Sequence, residues 1–307
     1  MRTPERPGAE AVRVKGWLGA HRWLILRRCS QTGFLAIFLF GPWLGWRLVD
    51  GTLASSRTFG LLPLTDPFVF LQSLAAGHRP AATAILGVAI VLAVYLLVGG
   101  RTYCSWVCPI NPVTDLAHRL AERFGVGKGW QPRRGTRVAS LAMALLGSAV
   151  TGTILWEFVN PITMLHRAIV FGTTGGLFVV LAVLLFDLFV SRRGFCGHLC
   201  PVGAFYGQIN RLSLVKVSAA RRVACDDCMD CYAVCPEPHV ISPALKGAAR
   251  GASPVILDHD CTSCGRCIDV CSKRVYRFTH RFDRREEPGP AAPPASPTRA
   301  QPEEVVP

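Results

Sequence analysis

Cys225-Asp-Asp-Cys228-Met-Asp-Cys231-Tyr-Ala-Val-Cys235-Pro236 is the stretch that decides the architecture. Three cysteines separated by two residues each, a fourth after three more, and a following proline make the bacterial run for a tetranuclear iron–sulfur cluster. Cys261-Thr-Ser-Cys264-Gly-Arg-Cys267-Ile-Asp-Val-Cys271 repeats the spacing, with Ser272 where proline is expected. Three thiolates so spaced wrap one face of a cubane in a tight loop. The fourth leads away and reaches the other cluster. The expected sets are Cys225, Cys228, Cys231 and Cys271 for cluster I, and Cys261, Cys264, Cys267 and Cys235 for cluster II. Zinc ribbons and disulfides are the competing readings, but zinc sites come as two separated C-x2-C pairs, not as triples with a remote partner. Spacing alone leaves open whether one cluster is trinuclear.

Short β-branched or alternating segments surround these runs: Leu212–Val217, Val255–Leu257 and Val275–Thr279. They predict a small α+β ferredoxin domain over 212–285. Residues 286–307 are rich in Pro, Ala and Glu and are expected to be disordered.

Upstream the chain changes character. Half of its 307 residues are apolar and its formal charge is +14. The basic residues flank apolar runs rather than forming one stripe, which argues against nucleic-acid binding. Twelve of the thirteen cysteines fall into four compact runs and only Cys29 stands apart, a pattern of metal or redox chemistry in a reducing compartment. Four apolar runs, Gly33–Val49, Ala81–Val98, Val138–Phe158 and Ile169–Val190, approach the roughly 20 residues that cross a hydrocarbon core. The expected fold is therefore a polytopic α-helical membrane protein: four transmembrane helices over 33–211, after a basic N-terminus at 1–32, with the ferredoxin domain at the C-terminus. Seven Lys or Arg in the first thirty residues and seven in 99–137, against two in 50–80 and one in 159–168, place both termini and the ferredoxin domain in the cytoplasm.

Within that region the sequence repeats. Arg101-Thr-Tyr-Cys104-Ser-Trp-Val-Cys108-Pro-Ile110 aligns with Arg193-Gly-Phe-Cys196-Gly-His-Leu-Cys200-Pro-Val202. The repeat implies two hairpins in parallel arrangement. After the first motif, Val113, Leu116, Ala117, Leu120 and Phe124 fall on one helical face, with Asn111 able to cap. After the second, Val202, Phe205, Tyr206, Ile209 and Leu212 do the same. Cys104, Cys108, Cys196 and Cys200 admit two readings: a redox or metal-binding set of four thiolates from two symmetric loops, or buried packing groups. The proline after each second cysteine keeps that residue out of α geometry.

These features together resemble the NapH family over about residues 20–285. The resemblance is carried by Cys104-Ser-Trp-Val-Cys-Pro with Val113-Thr-Asp115, Trp156-Glu-Phe-Val-Asn-Pro161 through Met164-Leu-His166-Arg167, and Cys196-Gly-His-Leu-Cys-Pro-Val-Gly-Ala-Phe-Tyr206, besides the two ferredoxin runs. It implies two [4Fe-4S] clusters and a quinol dehydrogenase subunit of the bacterial cytoplasmic (inner) membrane, multi-pass in the lipid bilayer. Such a subunit oxidises menaquinol or ubiquinol. It passes electrons to a NapG-like ferredoxin and c-type cytochromes of a periplasmic nitrate reductase system. The methylamine-utilisation protein MauN shares the layout. Oxidase-assembly factors resembling RdxA/FixG and regulators resembling NosR are the alternatives; the former carry an extra span and a β domain, the latter a large external flavin domain. The sequence has neither a C-x-x-C-H haem site nor a dinucleotide fingerprint, so haem c and direct NADH oxidation are not expected.

Quinol oxidation needs proton acceptors beside an apolar pocket. Glu157 and His166, near the end of the third apolar run and in the connection after it, are the candidates. Asp187 is the rival.

Overall fold

The computed structural model describes residues 6–44, 49–126, 129–130, 133 and 135–287, and for 40–44 the backbone only. Helix α1, Ala9–Leu44, is broken once, at Gly16, whose φ of 74° belongs to the left-handed region. It runs without a stop through the expected boundary at residue 32. A three-stranded antiparallel meander follows, β1 Val49–Gly51, β2 Ser55–Thr58 and β3 Leu62–Thr65. Then come α2 Pro67–Ala75, capped by Asp66, and α3 Ala82–Val98. Helices α4 Ile110–Arg123, α5 Thr136–Thr151, α6 Pro161–Phe171, α7 Leu177–Leu185 and α8 Pro201–Asn210 complete the N-terminal part.

The four-span reading does not survive. Among the described residues no helix is long and apolar enough to cross a membrane. The reason lies in the breaks that a hydropathy window averages over. Helix α3 has 17 residues and stops at Gly99, with φ at 127°. Helix α5 has 16 and stops at left-handed Gly152, beyond which Leu155–Phe158 is only a 3-10 turn. The expected fourth span is three pieces: the end of α6, a stop at left-handed Gly172, and the nine residues of α7 followed by a π-helical turn at Phe186–Val190. In the first, the chain is already in strand β1 at Val49. Crossing takes about 20 residues in one helix, and left-handed glycines are ordinary helix stops. The polytopic fold, the bilayer as partner and the multi-pass inner-membrane localisation are corrected accordingly. The helices nevertheless keep large apolar side chains on their outer faces, such as Leu97, Val150 and Phe178, the mark of a contact surface.

The two expected amphipathic helices form, with different buried faces. Helix α4 buries Ile110, Thr114, Asp115, Ala117 and Ala121, while Leu116 and Phe124 are exposed. Polar Thr114 and Asp115 turn inward because arginines and a thiol await them, which apolar periodicity cannot register. Helix α8 buries Val202, Ala204, Tyr206 and Asn210, and leaves Leu212 exposed.

The C-terminal domain pairs β4 Val215–Ser218 with β5 Arg277–His280. Between them run α9 Asp230–Val234, α10 Ile241–Lys246 and α11 Arg266–Val270. Val255 joins only through an isolated bridge to Ser218. Val217, Val240, Ile241, Ile256 and Val275 form its core. Helix α1 lies along α11. The Gly8 N–H donates to Asp230 at 2.8 Å, Lys15 Nζ to the Ile268 carbonyl at 2.7 Å, and the Leu24 N–H to Asp269 at 2.9 Å. Trp23 packs edge-on to Phe278 at 4.5 Å. Glu286 and Glu287, at the start of the expected tail, pair with Arg222 and with Arg221 and Arg277; residues 288–307 of that tail lie outside the described residues.

Candidate cluster-binding sites

Each cysteine triple curls through the same backbone pattern. Asp227 and Met229 have φ of 58° and 64°, and Ser263 and Gly265, at matching positions, 47° and 73°. Alternating hand in a short loop turns successive N–H groups inward, into an anion-binding concavity. Sulfurs are the acceptors here: Cys228 takes a bond from the Asp230 N–H, Cys261 from Ser263, and Cys264 from Arg266. The Tyr276 hydroxyl donates to Cys231 Sγ and the Val275 N–H to Cys271 Sγ, both at 3.4 Å. The fourth cysteines, Cys235 and Cys271, terminate α9 and α11 in extended conformation.

That extension carries each across to the other loop. Cys225, Cys228, Cys231 and Cys271 line one cavity together with Leu245 and Tyr276. Cys235, Cys261, Cys264 and Cys267 line a second with Val217, Val240, Ile241 and Ile256. Four thiols around a small space, with N–H groups turned to the sulfurs, fit an iron–sulfur cluster well. A cluster supplies reversible one-electron storage. The two cavities differ in depth: Cys228 is exposed, Cys264 buried. Burial pushes the Cys228 and Cys261 thiols up to about 11. At Cys264 burial also acts upward, but Arg27 and Arg266 beside it outweigh it and hold the thiol below its usual range.

The repeat cysteines converge too. Cys108 and Cys200 are buried in one core, with Cys104 and Cys196 packed against that core. Each motif is a π-helical turn, Tyr103–Val107 and Phe195–Leu199, ending in an extended cysteine and then proline. A cavity lined by Cys104, Cys196, Thr262 and Cys264 separates the repeat from the second ferredoxin site, with Arg101, Arg193 and Arg266 in its walls.

A buried ion network binds the two parts of the chain, and sequence reasoning missed most of it. Arg101 Nη1 reaches the Asp260 carbonyl at 2.6 Å and Glu237 at 3.4 Å. Arg137 Nη1 reaches Glu237 at 3.1 Å, and its Nη2 pairs with Asp260. Asp115 accepts from Arg28 and, at 2.7 and 2.8 Å, from Arg266. Asp260 directly precedes Cys261 and Glu237 follows Cys235-Pro236, so position beside the cysteines was the available signal. The recurrence of arginine at 101 and 193 was another.

The cavity that Glu157 lines does not include His166. Glu157 lines a small cavity with Asp66, Tyr103, Asn160 and Thr163. Its Oε1 accepts from Asn160 at 2.7 Å, while Oε2 is buried without a partner. His166 is fully buried against the edge of Phe38 at 4.8 Å, with neither ring nitrogen hydrogen-bonded. Asp66 is the neighbour that sequence reading missed. It accepts the Tyr206 hydroxyl at 3.0 Å, and burial pushes its carboxyl up to about 6. Asp187 accepts from the Phe195 N–H at 2.9 Å.

Comparison with known proteins agrees with this layout. A profile described as a 4Fe-4S binding domain matches residues 80–127 and again 173–219, and one described as a 4Fe-4S dicluster domain matches 224–275. The chain is 47% identical to "Ferredoxin-type protein NapH" of Escherichia coli K12, over 90% of this chain and 95% of that protein. It is 52% identical to "Methylamine utilization ferredoxin-type protein MauN" of Paracoccus denitrificans, over 89% and 95%. The Haemophilus influenzae NapH is 44% identical, over 91% and 97%. No solved structure matches the chain.

Proposed function

The chain belongs to the NapH family of ferredoxin-type 4Fe-4S electron-transfer proteins, with MauN among its relatives, and from that membership we propose that it is the quinol-oxidising subunit of its electron-transfer complex. Cluster I is held by Cys225, Cys228, Cys231 and Cys271, and cluster II by Cys235, Cys261, Cys264 and Cys267. The observation that carries this reading is the pair of four-cysteine cavities, each completed by the last cysteine of the other run. Crossing the ligands holds the sites in one small domain, close enough to pass electrons between them.

Oxidation of menaquinol or ubiquinol to its quinone releases two electrons and two protons. The two clusters have capacity for one electron each. Glu157 and Asp66 line one cavity, and two neighbouring carboxylates can accept the two protons. Electrons then leave toward a NapG-like ferredoxin and c-type cytochromes that feed nitrate reductase. A methylamine-linked acceptor is the second reading, favoured by 52% identity to a protein named for methylamine utilisation.

The test is anaerobic reduction of the purified chain by a water-soluble quinol, followed by its absorbance bleach and paramagnetic signals. Cluster reduction by quinol at a rate that saturates with concentration is expected. Full reduction by dithionite with none by any quinol would remove the quinol step and leave the electron-transfer role standing.

A further inference from the structure

We infer that Cys104, Cys108, Cys196 and Cys200 together hold a third tetranuclear iron–sulfur cluster, shared between the two repeat motifs and facing the Cys235, Cys261, Cys264 and Cys267 site across the arginine-walled cavity. The first argument is a count of ligands. A [4Fe-4S] cluster takes four thiolates, and each repeat segment matched as 4Fe-4S binding offers only two cysteines in its motif. The fold resolves the shortfall by bringing both pairs into one core.

The second argument is the shape of the motif. In both repeats the first cysteine sits inside a π-helical turn and the second ends it in extended conformation. Proline then directs the chain into a helix, so Cys108 and Cys200 stand at the N-termini of α4 and α8. Cys108 accepts backbone N–H groups of Ile110 and Asn111, and Cys200 those of Val202 and Gly203. N–H groups and a helix N-terminus stabilise a thiolate rather than a thiol. Cysteines serving only as packing need no such donors.

Spacing then argues against a single zinc ion. Among the described residues no three of these sulfurs lie within 4.8 Å of one another, and the same holds for both ferredoxin-domain sets. A single tetrahedral zinc, with Zn–S bonds of about 2.3 Å, would draw its sulfurs to roughly 3.8 Å apart. The repeat set is thus, like the two ferredoxin sets, wider than a closed single-zinc site.

The surroundings fit a negatively charged group. Arg101, Arg193 and Arg266 border the cavity between this set and Cys264. The Nε of each is buried without a hydrogen-bond partner. Leaving buried N–H donors unpaired is costly unless charge nearby compensates. Arg101 and Arg266 already pair with Glu237, Asp260 and Asp115, and two anionic clusters on either side would add to those carboxylates at the arginine-lined cavity.

Iron and acid-labile sulfide in the anaerobically purified full chain decide the matter, together with dithionite-reduced paramagnetic spectra that do not depend on quinol. About twelve iron and twelve sulfide per chain are expected, four of each from every cubane. Cys104→Ser and Cys200→Ser, one in each repeat, should each lower both numbers to about eight and leave the ferredoxin-domain signals in place. The double variant should lose no more than either single one. About eight iron in the unmodified chain would overturn the inference, as would one equivalent of zinc released by either variant. Should a variant fail to accumulate, the iron content of the unmodified chain still decides.

Discussion

Arg101 and Arg193 occupy the same place in the two repeat motifs, and each donates to the carbonyl just before a cysteine of one cavity. Arg101 Nη1 meets the Asp260 carbonyl at 2.6 Å, before Cys261, and Arg193 Nη1 meets the Val234 carbonyl at 3.1 Å, before Cys235. The repeat therefore grips the second ferredoxin site from two sides. Recurrence of arginine beside a cysteine motif is a docking device here, with the guanidinium serving the other part of the chain.

Arg101→Met tests that grip. It leaves Glu237 and Asp260, both buried, with Arg137 as their one remaining arginine, beside His239 at 3.2 Å from Asp260. Removing one partner from a buried ion network costs about 3–5 kcal/mol. The expected result is a lower denaturant midpoint, with the paramagnetic signal of cluster II lost before that of cluster I. Equal loss of both signals would point to general unfolding rather than a local grip.

Ligand crossing makes a separate prediction. Cys235→Ser should remove the buried cluster II and spare the exposed cluster I, although Cys235 belongs to the first run. Cys271→Ser should do the opposite. About four iron should be lost in each case, and brief chelator treatment of the intact chain should strip cluster I first, because Cys228 is exposed and Cys264 is not. The reverse assignment of signals would mean that each run closes on itself.

The legible part of this molecule was the part with fixed covalent spacing. The two cysteine runs and the repeat at Cys104 and Cys196 are short-range patterns, and cysteines of both runs line the two cavities. Helix length was not legible in the same way. Apolar composition continues through Gly152 and Gly172, but the backbone takes positive φ at each and the helix stops; α3 covers its expected run and is itself only 17 residues long. Buried polar groups escaped for a different reason. Arg137 and Asp260, like Asp115 and Arg266, lie far apart in the chain and pair only when the ferredoxin domain packs on the helices. Asp66 reads locally as a cap for α2, which it is, and its second role at Glu157 depends on tertiary placement.

Asp115 ties α1, α4 and α11 through Arg28 and Arg266. Burial would raise its carboxyl, but Arg266, then Arg193 and Arg28, outweigh it and hold it down at about 2. A carboxylate depressed in the folded state contributes stability above its unfolded value, near 4, and loses it as pH falls through about 2. Asp115→Asn should therefore be less stable at neutral pH by about 3–5 kcal/mol. The difference between variant and unmodified chain should shrink as pH falls from about 4 to about 2. Denaturant titrations monitored by circular dichroism across that window give the comparison, and a gap independent of pH would assign the loss to packing.

Glu157 offers the test of where quinol protons go. Its Oε2 is buried and unpaired, Oε1 is held by Asn160, and Asp66 lines the same cavity. Glu157→Gln keeps the size and the bond from Asn160 but removes the basic oxygen. A general base typically contributes a hundredfold or more in rate. The variant should assemble its clusters, take electrons fully from dithionite, and be reduced by a water-soluble quinol at least about a hundredfold more slowly. His166→Gln serves as the discriminating control, since His166 does not line that cavity and faces Phe38 instead. Its quinol-driven rate should stay within a few-fold of the unmodified chain, because neither ring nitrogen holds a hydrogen bond that the reaction could use. Equal slowing in both variants, with a double variant no worse than either, would join the two residues in one path. An unchanged rate in Glu157→Gln would remove this cavity as the proton acceptor.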